Sequence, residues 1–374
     1  MPIDTVYGII NKIFKIFKLK NKLGKMNETT EKIQKLLDKT GDVYIPGGVY
    51  IIDSTLKIHD NTHLRMAEDA VLRLADNANC ALMINDKLAT DYNVNITIEG
   101  GTIDGNNLNQ GRVHREHYEE LTAYDPDRNY GILTRFVGVK NFRLCNLTFK
   151  DPESYPVQIS MVRDFTVENI TFDYNMQRTN MDGIHINGPA ANGVVRNIKG
   201  ATNDDMVALN CDDCYETEIT SGVIENILVD GLFAENGYTA VRLLSCGHNL
   251  RNVIIRNIFG SWQYNVVSFT HHGVHEGECF LDNVLVDGCF VSKADPKNDF
   301  AMFWFAPNTH TGRVTLRNIH RTESCTSQAN TIKIDRGATV GKLLIDDVTQ
   351  TYTSGEPLEL ICNSGEVNTL FVRD

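Results

Sequence analysis

Short stretches of alternating apolar and polar residues recur along most of the chain. Seven of them combine Asn or Asp with a run of β-branched or aliphatic residues, and they end at residues 147, 170, 198, 232, 258, 289 and 319. Spacings of 23 to 34 residues between these ends, with Gly, Asn and Asp at the turns, are typical of a solenoid. None of these recurring segments has the long 3.6-residue periodicity that helical or leucine-rich repeats need. We therefore predict an all-β chain wound into a single-stranded parallel β-helix.

Each predicted coil turns Val, Ile and Leu side chains inward, so the core is expected to be a stack of aliphatic layers. The stability of such a solenoid is roughly a sum over neighbouring coils. Because a solenoid grows by adding coils, the 374 residues need not be divided among several domains. We predict one β-helix domain over 27–374, in which the asparagines of the sequons at 95, 146 and 169 are structural.

The N-terminal region has helical patterns instead. Residues 9–24 alternate apolar positions with lysines at helical spacing, which predicts a basic amphipathic helix within an extension over 1–26. Such a helix suits contact with a membrane surface or a partner, or docking on the solenoid or on a second subunit to form a homo-oligomer. A second helix near 28–38 is expected to cap the β-helix, whose terminal coil otherwise exposes apolar layers and unpaired strand edges.

Charge and composition narrow the classes of partner. A formal net charge of −12 and a pI near 5.4 argue against nucleic acid or an anionic membrane. The sequence has no apolar run long enough for an integral membrane segment and no secretion-signal layout at its start. Nine cysteines, an odd number mostly inside strand patterns, indicate buried thiols rather than a disulfide framework. We expect a cytoplasmic protein, with the extracellular space or a phage particle as alternatives.

Three carboxylates form the leading candidate site. Asp182 precedes Asp204 by 22 residues and Asp205 by 23, and each acid lies beside an alternating strand. If these strands stack as successive coils, repulsion between the carboxylates should raise at least one pKa, leaving one acid protonated and another ionised. A glycosidase needs this division, because one acid protonates the glycosidic oxygen and another activates water. The alternative is that these residues are turn formers of the solenoid.

Metal chemistry has weaker support. Cys211 and Cys214 have the spacing of half a zinc site, but no second pair follows at a suitable distance. We therefore expect no metal and no other cofactor.

Four motifs in one order resemble glycoside hydrolase family 28, the polygalacturonase family of right-handed parallel β-helices. The similarity runs from about residue 27 to about residue 260 and begins with the helix that precedes 43–50. Its further motifs are Gly-Gly-Thr-Ile-Asp-Gly at 100–105, Asn-Met-Asp-Gly-Ile-His at 180–185 and Asn-Asp-Asp at 203–205.

This resemblance implies roles for the acids and their neighbours. Asp204 would be the general acid of an inverting hydrolysis, and Asp182 and Asp205 would hold and deprotonate the water. Asn180 is expected to orient Asp182 or to line a subsite, and His185 to contact substrate. An outward-facing strand histidine without a functional role is the alternative for His185.

Two departures from the family bear on the substrate. The Gly-His-Gly turn that usually follows the acid pair is missing between 211 and 244, and one coil fewer separates the pair from Arg242. The family's Arg-Ile-Lys triplet, whose cations hold a uronate carboxylate, is Arg242-Leu243-Leu244 here. Losing one cation should cost on the order of 1.5–3 kcal/mol of charge-assisted hydrogen bonding. A related glycan, an exo-acting subsite or a lost activity therefore becomes more favourable than galacturonan.

Later coils offer further substrate contacts. His271 and His272 follow the strand that comes one coil after Arg242, and they suit binding of sugar hydroxyls, metal binding or a plain surface turn. Trp304 would be an aromatic platform for a sugar ring or a core residue. A polar insertion over 106–129 is a candidate wall of the cleft or a solvated loop.

Three functions are compatible with these patterns. The leading one is a hydrolase of a polysaccharide or oligosaccharide that cleaves with inversion. A lyase or epimerase on the same fold would need an Arg, Lys or His base beside a uronate, often with calcium. A tailspike-like adhesin or assembly protein would bind glycan without cleaving it.

Overall fold

The computed structural model describes residues 26–88, 91–111, 129–212, 220–271 and 278–373. The described chain contains one α-helix, one short 3-10 helix and strands β1 to β23. The elements are α1 (Glu28–Leu37), β1 (Gly41–Ile45), β2 (Gly48–Ile52), β3 (Leu56–Ile58), β4 (Thr62–Met66), β5 (Ala70–Leu74), β6 (Met83–Asn85), β7 (Asn93–Glu99), β8 (Thr102–Asp104), the 3-10 helix (Asn107–Asn109), β9 (Thr134–Lys150), β10 (Val157–Asp173), β11 (Ile184–Lys199), β12 (Asp205–Asn210), β13 (Ile224–Gly237), β14 (Thr239–Leu244), β15 (Asn249–Trp262), β16 (Val267–Thr270), β17 (Cys279–Lys293), β18 (Phe303–Phe305), β19 (Thr309–Glu323), β20 (Ile332–Ile334), β21 (Thr339–Tyr352), β22 (Ile361–Asn363) and β23 (Glu366–Arg373).

The strands pair in parallel with the strand one coil further along the chain. One column of long strands runs from β11 through β13, β15, β17, β19 and β21 to β23. A second column of short strands runs from β12 through β14, β16, β18 and β20 to β22. The start of β11 joins the short column and its end joins the long one. This topology confirms the predicted parallel solenoid.

Stacked aliphatic side chains fill the interior. One layer position is occupied on successive coils by side chains that are level with one another and at most 1% exposed. They are Val167, Val195, Val229, Ile255, Val286, Leu316 and Ile345. Each buried aliphatic side chain contributes about 1.5–3 kcal/mol relative to an exposed one. The core is therefore continuous along the axis, as the repeat pattern predicts.

Asparagines in the left-handed conformation form ladders at the corners of the coils. Asn146, Asn169 and Asn197 have φ of 58°, 55° and 54°. The side-chain amide of Asn169 donates to Asn146 at 2.8 Å, and that of Asn197 donates to Asn169 at 2.6 Å. Asn tolerates this conformation better than other non-glycine residues because its side chain hydrogen-bonds locally. The asparagines at 95, 146 and 169 are thus structural, as predicted.

Helix α1 covers the N-terminal end of the solenoid. Asn27 caps it by accepting a hydrogen bond from the Thr30 N–H at 2.7 Å, and Ile33 and Leu37 are buried against the first coil. The predicted capping helix is therefore confirmed, one residue shorter at its end. The predicted basic helix at 9–24, with its possible role in oligomer formation, lies outside the described residues. No helix of the described chain is long and apolar enough to cross a membrane.

The eight cysteines within the described ranges form no disulfide with one another, and five of them are buried. This agrees with the prediction of buried thiols in the coil layers.

Replacing Asn169 with Ala should lower the free energy of unfolding by about 1–3 kcal/mol, because the variant loses two ladder hydrogen bonds and the polar side chain that favours the left-handed conformation. Urea unfolding followed by circular dichroism measures this change. Thr171→Ala, at an exposed position of the same strand, should shift the stability by less than about 0.5 kcal/mol. Equal stabilities of the two variants would contradict a stabilising role for the ladder.

Candidate functional site

The parallel register brings the three acids together. Strands β11 and β12 pair with Ile184 level with Val207, and the Gly183 N–H donates to the Asp205 carbonyl at 2.9 Å. Continuing this register by two residues places Asp182 level with Asp205 on the adjacent coil. Adjacent strands are about 4.8 Å apart, so the two segments are direct neighbours.

Glycine at 183 permits this close approach. A β-carbon at Gly183 would lie 2.2 Å from the Met206 carbonyl oxygen and 2.6 Å from the Phe172 ring. The Asp-Gly sequence is therefore required by the spacing of the two acid-bearing coils.

The three carboxylates differ in burial. Asp182 and Asp205 are 2% and 3% exposed, whereas Asp204 keeps a partly exposed surface. Asn180 donates its side-chain N–H to Asp204 Oδ2 at 2.9 Å. The amide of Asn180 thus holds Asp204, although the sequence-based expectation linked it to Asp182 or to a subsite.

Hydrogen bonds and one ion pair connect Asp182 to Asp205. His185 Nδ1 lies 2.7 Å from Asp182 Oδ2, and its Nε2 lies 3.1 Å from Asn210 Nδ2. Arg242 Nε lies 3.3 Å from Asn210 Oδ1 and 2.9 Å from Asp205 Oδ2. Two buried acids are therefore joined through one histidine, one asparagine and one arginine.

The donors in this chain fix the protonation of His185. Arginine only donates, so Asn210 turns its carbonyl oxygen to Arg242 and its N–H to His185. His185 Nε2 must then accept this N–H, and the ring proton lies on Nδ1. The Nδ1–H donates to Asp182, whose carboxylate is the acceptor.

His185 itself has no surface for a sugar. Its side chain is fully buried, and its ring stacks on Tyr155 with centroids 4.0 Å apart. This burial argues against the direct substrate contact predicted for His185. The same side chain instead orients Asp182 from behind.

Electrostatics distinguishes Asp204 from its neighbours. Burial raises the pKa of Asp204 well above its ordinary value, and repulsion from Asp182 and Asp205 raises it further. Arg242 and the Asp205 N–H act in the opposite direction and do not cancel these effects. The pKa of Asp204 is therefore held above the ordinary value of an aspartate.

Arg242 belongs to a column of outward positions on the short strands. Arg242, Ser268, Trp304 and Lys333 are level with one another on four successive coils. Trp304 is partly exposed, while Phe303 and Phe305 on either side of it are fully buried. The structure thus places Trp304 on the face of the acids and not in the core.

Aromatic side chains occupy the positions that follow Asp204 on the next coils. Asp205 is level with Thr239, so Asp204 is level with Tyr238 on the next coil. The rings of Tyr238 and Tyr264 stack with their centroids 3.9 Å apart. The centroids of the Tyr264 and Phe300 rings are 4.6 Å apart. A column of aromatic side chains therefore begins beside the candidate acid and runs toward the C-terminal coils.

Comparison with known proteins agrees with this arrangement. The family model described as "Glycosyl hydrolases family 28" matches residues 84–226, a segment that contains all three acids. The chain is a family 28-like parallel β-helix protein. No curated protein sequence matches it.

Solved structures share the fold at low identity with this family 28-like chain. An exopolygalacturonase from Thermotoga maritima has a TM-score of 0.61 at 13% identity, covering 89% of this chain and 86% of its own. An endo-xylogalacturonan hydrolase from Aspergillus tubingensis has a TM-score of 0.57 at 14% identity, covering 88% and 91%. The surface protein and adhesin PfbA of Streptococcus pneumoniae has a TM-score of 0.50 at 15% identity, covering 92% and 95%.

The remaining predicted contacts of the family 28-like site are only partly described. His271 is half-buried directly after β16, one coil beyond β14. His272, Cys214 and most of the insertion over 106–129 lie outside the described residues. Among the residues that the structure does describe, no group of three metal-ligating side chains suits a metal ion.

Several residues of the site were not predicted from the sequence. Asn210 ends the strand that follows the acid pair, two positions beyond the residue level with Arg242. Tyr155 lies two residues before β10, and Tyr238 lies one residue before β14. Aligning the coils by strand starts would have placed these residues beside the acids, because level positions repeat on every coil.

Replacing Asp204 with Asn should stabilise the protein increasingly as the pH rises. In the unfolded chain an Asp ionises above a pH of about 3.9, whereas folded Asp204 keeps its proton to higher pH, so the wild type loses stability in this window. The Asn side chain cannot ionise and avoids this loss. Urea midpoints from pH 3 to 8 measure the difference.

The matched control is Asp205→Asn, which removes the ion pair with Arg242 and should be destabilising near neutral pH. A constant difference in midpoint between Asp204→Asn and the wild type at every pH would refute a raised pKa.

Proposed function

We propose that the protein is a glycoside hydrolase that cleaves its substrate with inversion of the anomeric carbon. The observation that carries this proposal is the grouping of Asp204, whose pKa is raised, with two buried acids on adjacent coils. The family 28 match over this segment supports it.

Asp204 is assigned as the general acid. It has the most exposed surface of the three carboxylates, so it can reach a glycosidic oxygen. Its raised pKa keeps it protonated at a pH where an ordinary Asp is ionised. Proton donation then leaves its carboxylate beside Asn180, whose N–H stabilises the new charge.

Asp182 and Asp205 are assigned to binding and deprotonating the attacking water. Asp182 Oδ2 is held by His185, while Asp182 Oδ1 is buried and accepts no hydrogen bond from any described residue. That oxygen can accept a hydrogen bond from the attacking water, and either acid can take its proton. Arg242 pairs with Asp205 and fixes the position of its carboxylate.

We therefore assign Arg242 to positioning Asp205 as a base, and not to binding the carboxylate of a uronate. Its Nε is 2.9 Å from Asp205 Oδ2, and its side chain is only 20% exposed. The uronate contact expected from the sequence would compete with this pair.

Asp204→Asn should lower kcat by about 10²–10⁴-fold, because the amide cannot donate a proton to the leaving group. The assay measures reducing ends released from pectic and neutral glycans, with proton NMR to record the anomer formed first. Asp347→Asn, at a half-exposed carboxylate on a later coil, is the matched control and should retain activity.

Near-normal turnover by Asp204→Asn would overturn the assignment. Retention of anomeric configuration would overturn the inverting mechanism, and an unsaturated product absorbing in the ultraviolet would favour a lyase. Binding without any product would favour a glycan-binding protein.

Arg242→Gln should lower kcat by roughly 10²-fold with little change in KM, because misplacing Asp205 affects the transition state more than substrate binding. Steady-state kinetics on the substrate found above measures both constants. A raised KM with unchanged kcat would instead show that Arg242 binds substrate directly.

A further inference from the structure

The face that carries the acids is covered on one side of them. On the preceding coils, Arg135, Gln158 and His185 occupy level outward positions and are 6%, 1% and 0% exposed. Tyr130 and Tyr155 form a buried apolar cluster there with Ile132. On the following coils, Arg242, Trp304 and Lys333 are partly exposed, and the small Ser268 between Arg242 and Trp304 is 3% exposed. The described face beside the acids is therefore more exposed toward the C-terminal coils than toward the preceding ones.

Trp304 lies on this path and is held rigidly. Its indole Nε1–H donates to Asp335 Oδ2 at 2.7 Å, and Lys333 Nζ lies 3.2 Å from Asp335 Oδ1. Phe300 meets the indole edge-on, with centroids 6.2 Å apart and planes at 82°. A partly exposed indole whose N–H is hydrogen-bonded presents an apolar surface at little entropic cost.

The backbone under the aromatic column is also fixed. Lys293 is 5% exposed, and its Nζ donates to the carbonyl oxygens of Tyr264, at 2.6 Å, and of Phe300. The loop that presents Phe300 to Trp304 is therefore anchored from inside the solenoid.

The spacing along the axis suits successive sugar units. Trp304 is two coils beyond Arg242, which corresponds to roughly 10 Å at about 4.8 Å per coil. A hexose unit of an extended glycan advances by a distance close to one such step. Trp304 is thus placed to meet a unit about two residues away from the one at Arg242.

The charges on this path are compensated. Arg242 pairs with Asp205, and Lys333 pairs with Asp335. The chain as a whole carries a formal charge of −12, which disfavours a polyanion. Paired carboxylates and ammonium groups are well suited to sugar hydroxyls, because they both donate and accept.

We propose that Trp304, Lys333 and Asp335 form a distal subsite for a neutral sugar unit of the glycan whose cleaved bond lies at Asp204. This inference rests on the proposed function for the identity of that bond. The sugar ring packs on the exposed part of the indole, and its hydroxyls bind the Lys333 and Asp335 pair.

Intrinsic fluorescence tests this subsite directly. The sequence has two tryptophans, and Trp262 is fully buried in the core, so Trp304 is the accessible reporter. The titrations use Asp204→Asn to prevent turnover, with neutral galacto- and xylo-oligosaccharides and with oligogalacturonides of increasing length. We expect a saturable emission change with the longer neutral oligosaccharides of one series, and none when Trp304→Phe is added.

Calorimetry measures affinity without relying on the reporter. Trp304→Ala should weaken binding of the long neutral oligosaccharide about tenfold and leave that of a disaccharide unchanged. Phe290→Ala removes an aromatic residue that is 53% exposed in the long-strand column, and it should bind like the parent. Trp304→Phe serves as the conservative variant if the alanine protein does not fold.

Each outcome separates the two proposals. Equal affinities of the parent and Trp304→Ala for every length would overturn the subsite. Tighter binding of oligogalacturonides, lost in Lys333→Met, would overturn the neutral class. A Trp304 response to a neutral glycan that the wild type never cleaves would support the subsite and refute the hydrolase proposal.

Discussion

The hydrogen-bonded register between neighbouring coils determines the rest of this structure. Because every strand pairs in parallel with the next coil, residues that are 21 to 51 positions apart in sequence become level and are separated by about one strand spacing. The same constraint builds the aliphatic layers inside and the asparagine ladders at the corners. It also brings acids together outside, where their repulsion would otherwise keep them apart. The aliphatic core therefore stabilises a site that is electrostatically unfavourable by itself.

Repulsion among the three acids is offset unequally, and the roles proposed for them follow this inequality. Asp205 has Arg242 at 2.9 Å and Asp182 has the His185 N–H at 2.7 Å, so each of these two acids has a donor beside it. Asp204 receives hydrogen bonds from Asn180 and from the Asp205 N–H, forms no ion pair with a cation of the described residues, and faces two negative neighbours. The least compensated carboxylate is also the most exposed one. Burial and the neighbouring charges thus favour a proton on Asp204, the position at which the proposed mechanism needs an acid.

Sequence periodicity was sufficient for the fold because each coil repeats the same physical requirement. Apolar residues at alternate positions must face inward, and the left-handed corners favour Asn, so both signals recur in the sequence. The acids were recognisable for a related reason, since two adjacent coils each end a turn with Asp. The partners of the acids were not recognisable by type. His185 reads as an outward strand residue, and only the packing of Tyr155 shows that it is buried. The placement of Asn210 and Tyr238 beside the acids follows from a coil of 34 residues. The repeat pattern does not predict this length, because the coils differ in length.

The packing around the acids also explains why position 244 holds a leucine and not a lysine. Leu244 is 1% exposed, packs with Cys246, and is level with Asn210 on the coil that carries the acid pair. A lysine there would have to bury its ammonium group or push its side chain past Arg242, and burial of an unpaired charge is costly. Among the described residues, the Arg242 guanidinium is meanwhile held by Asp205 and Asn210. In the proposed function, recognition of the glycan consequently depends on groups further along the axis, where the aromatic column and the Lys333 and Asp335 pair lie.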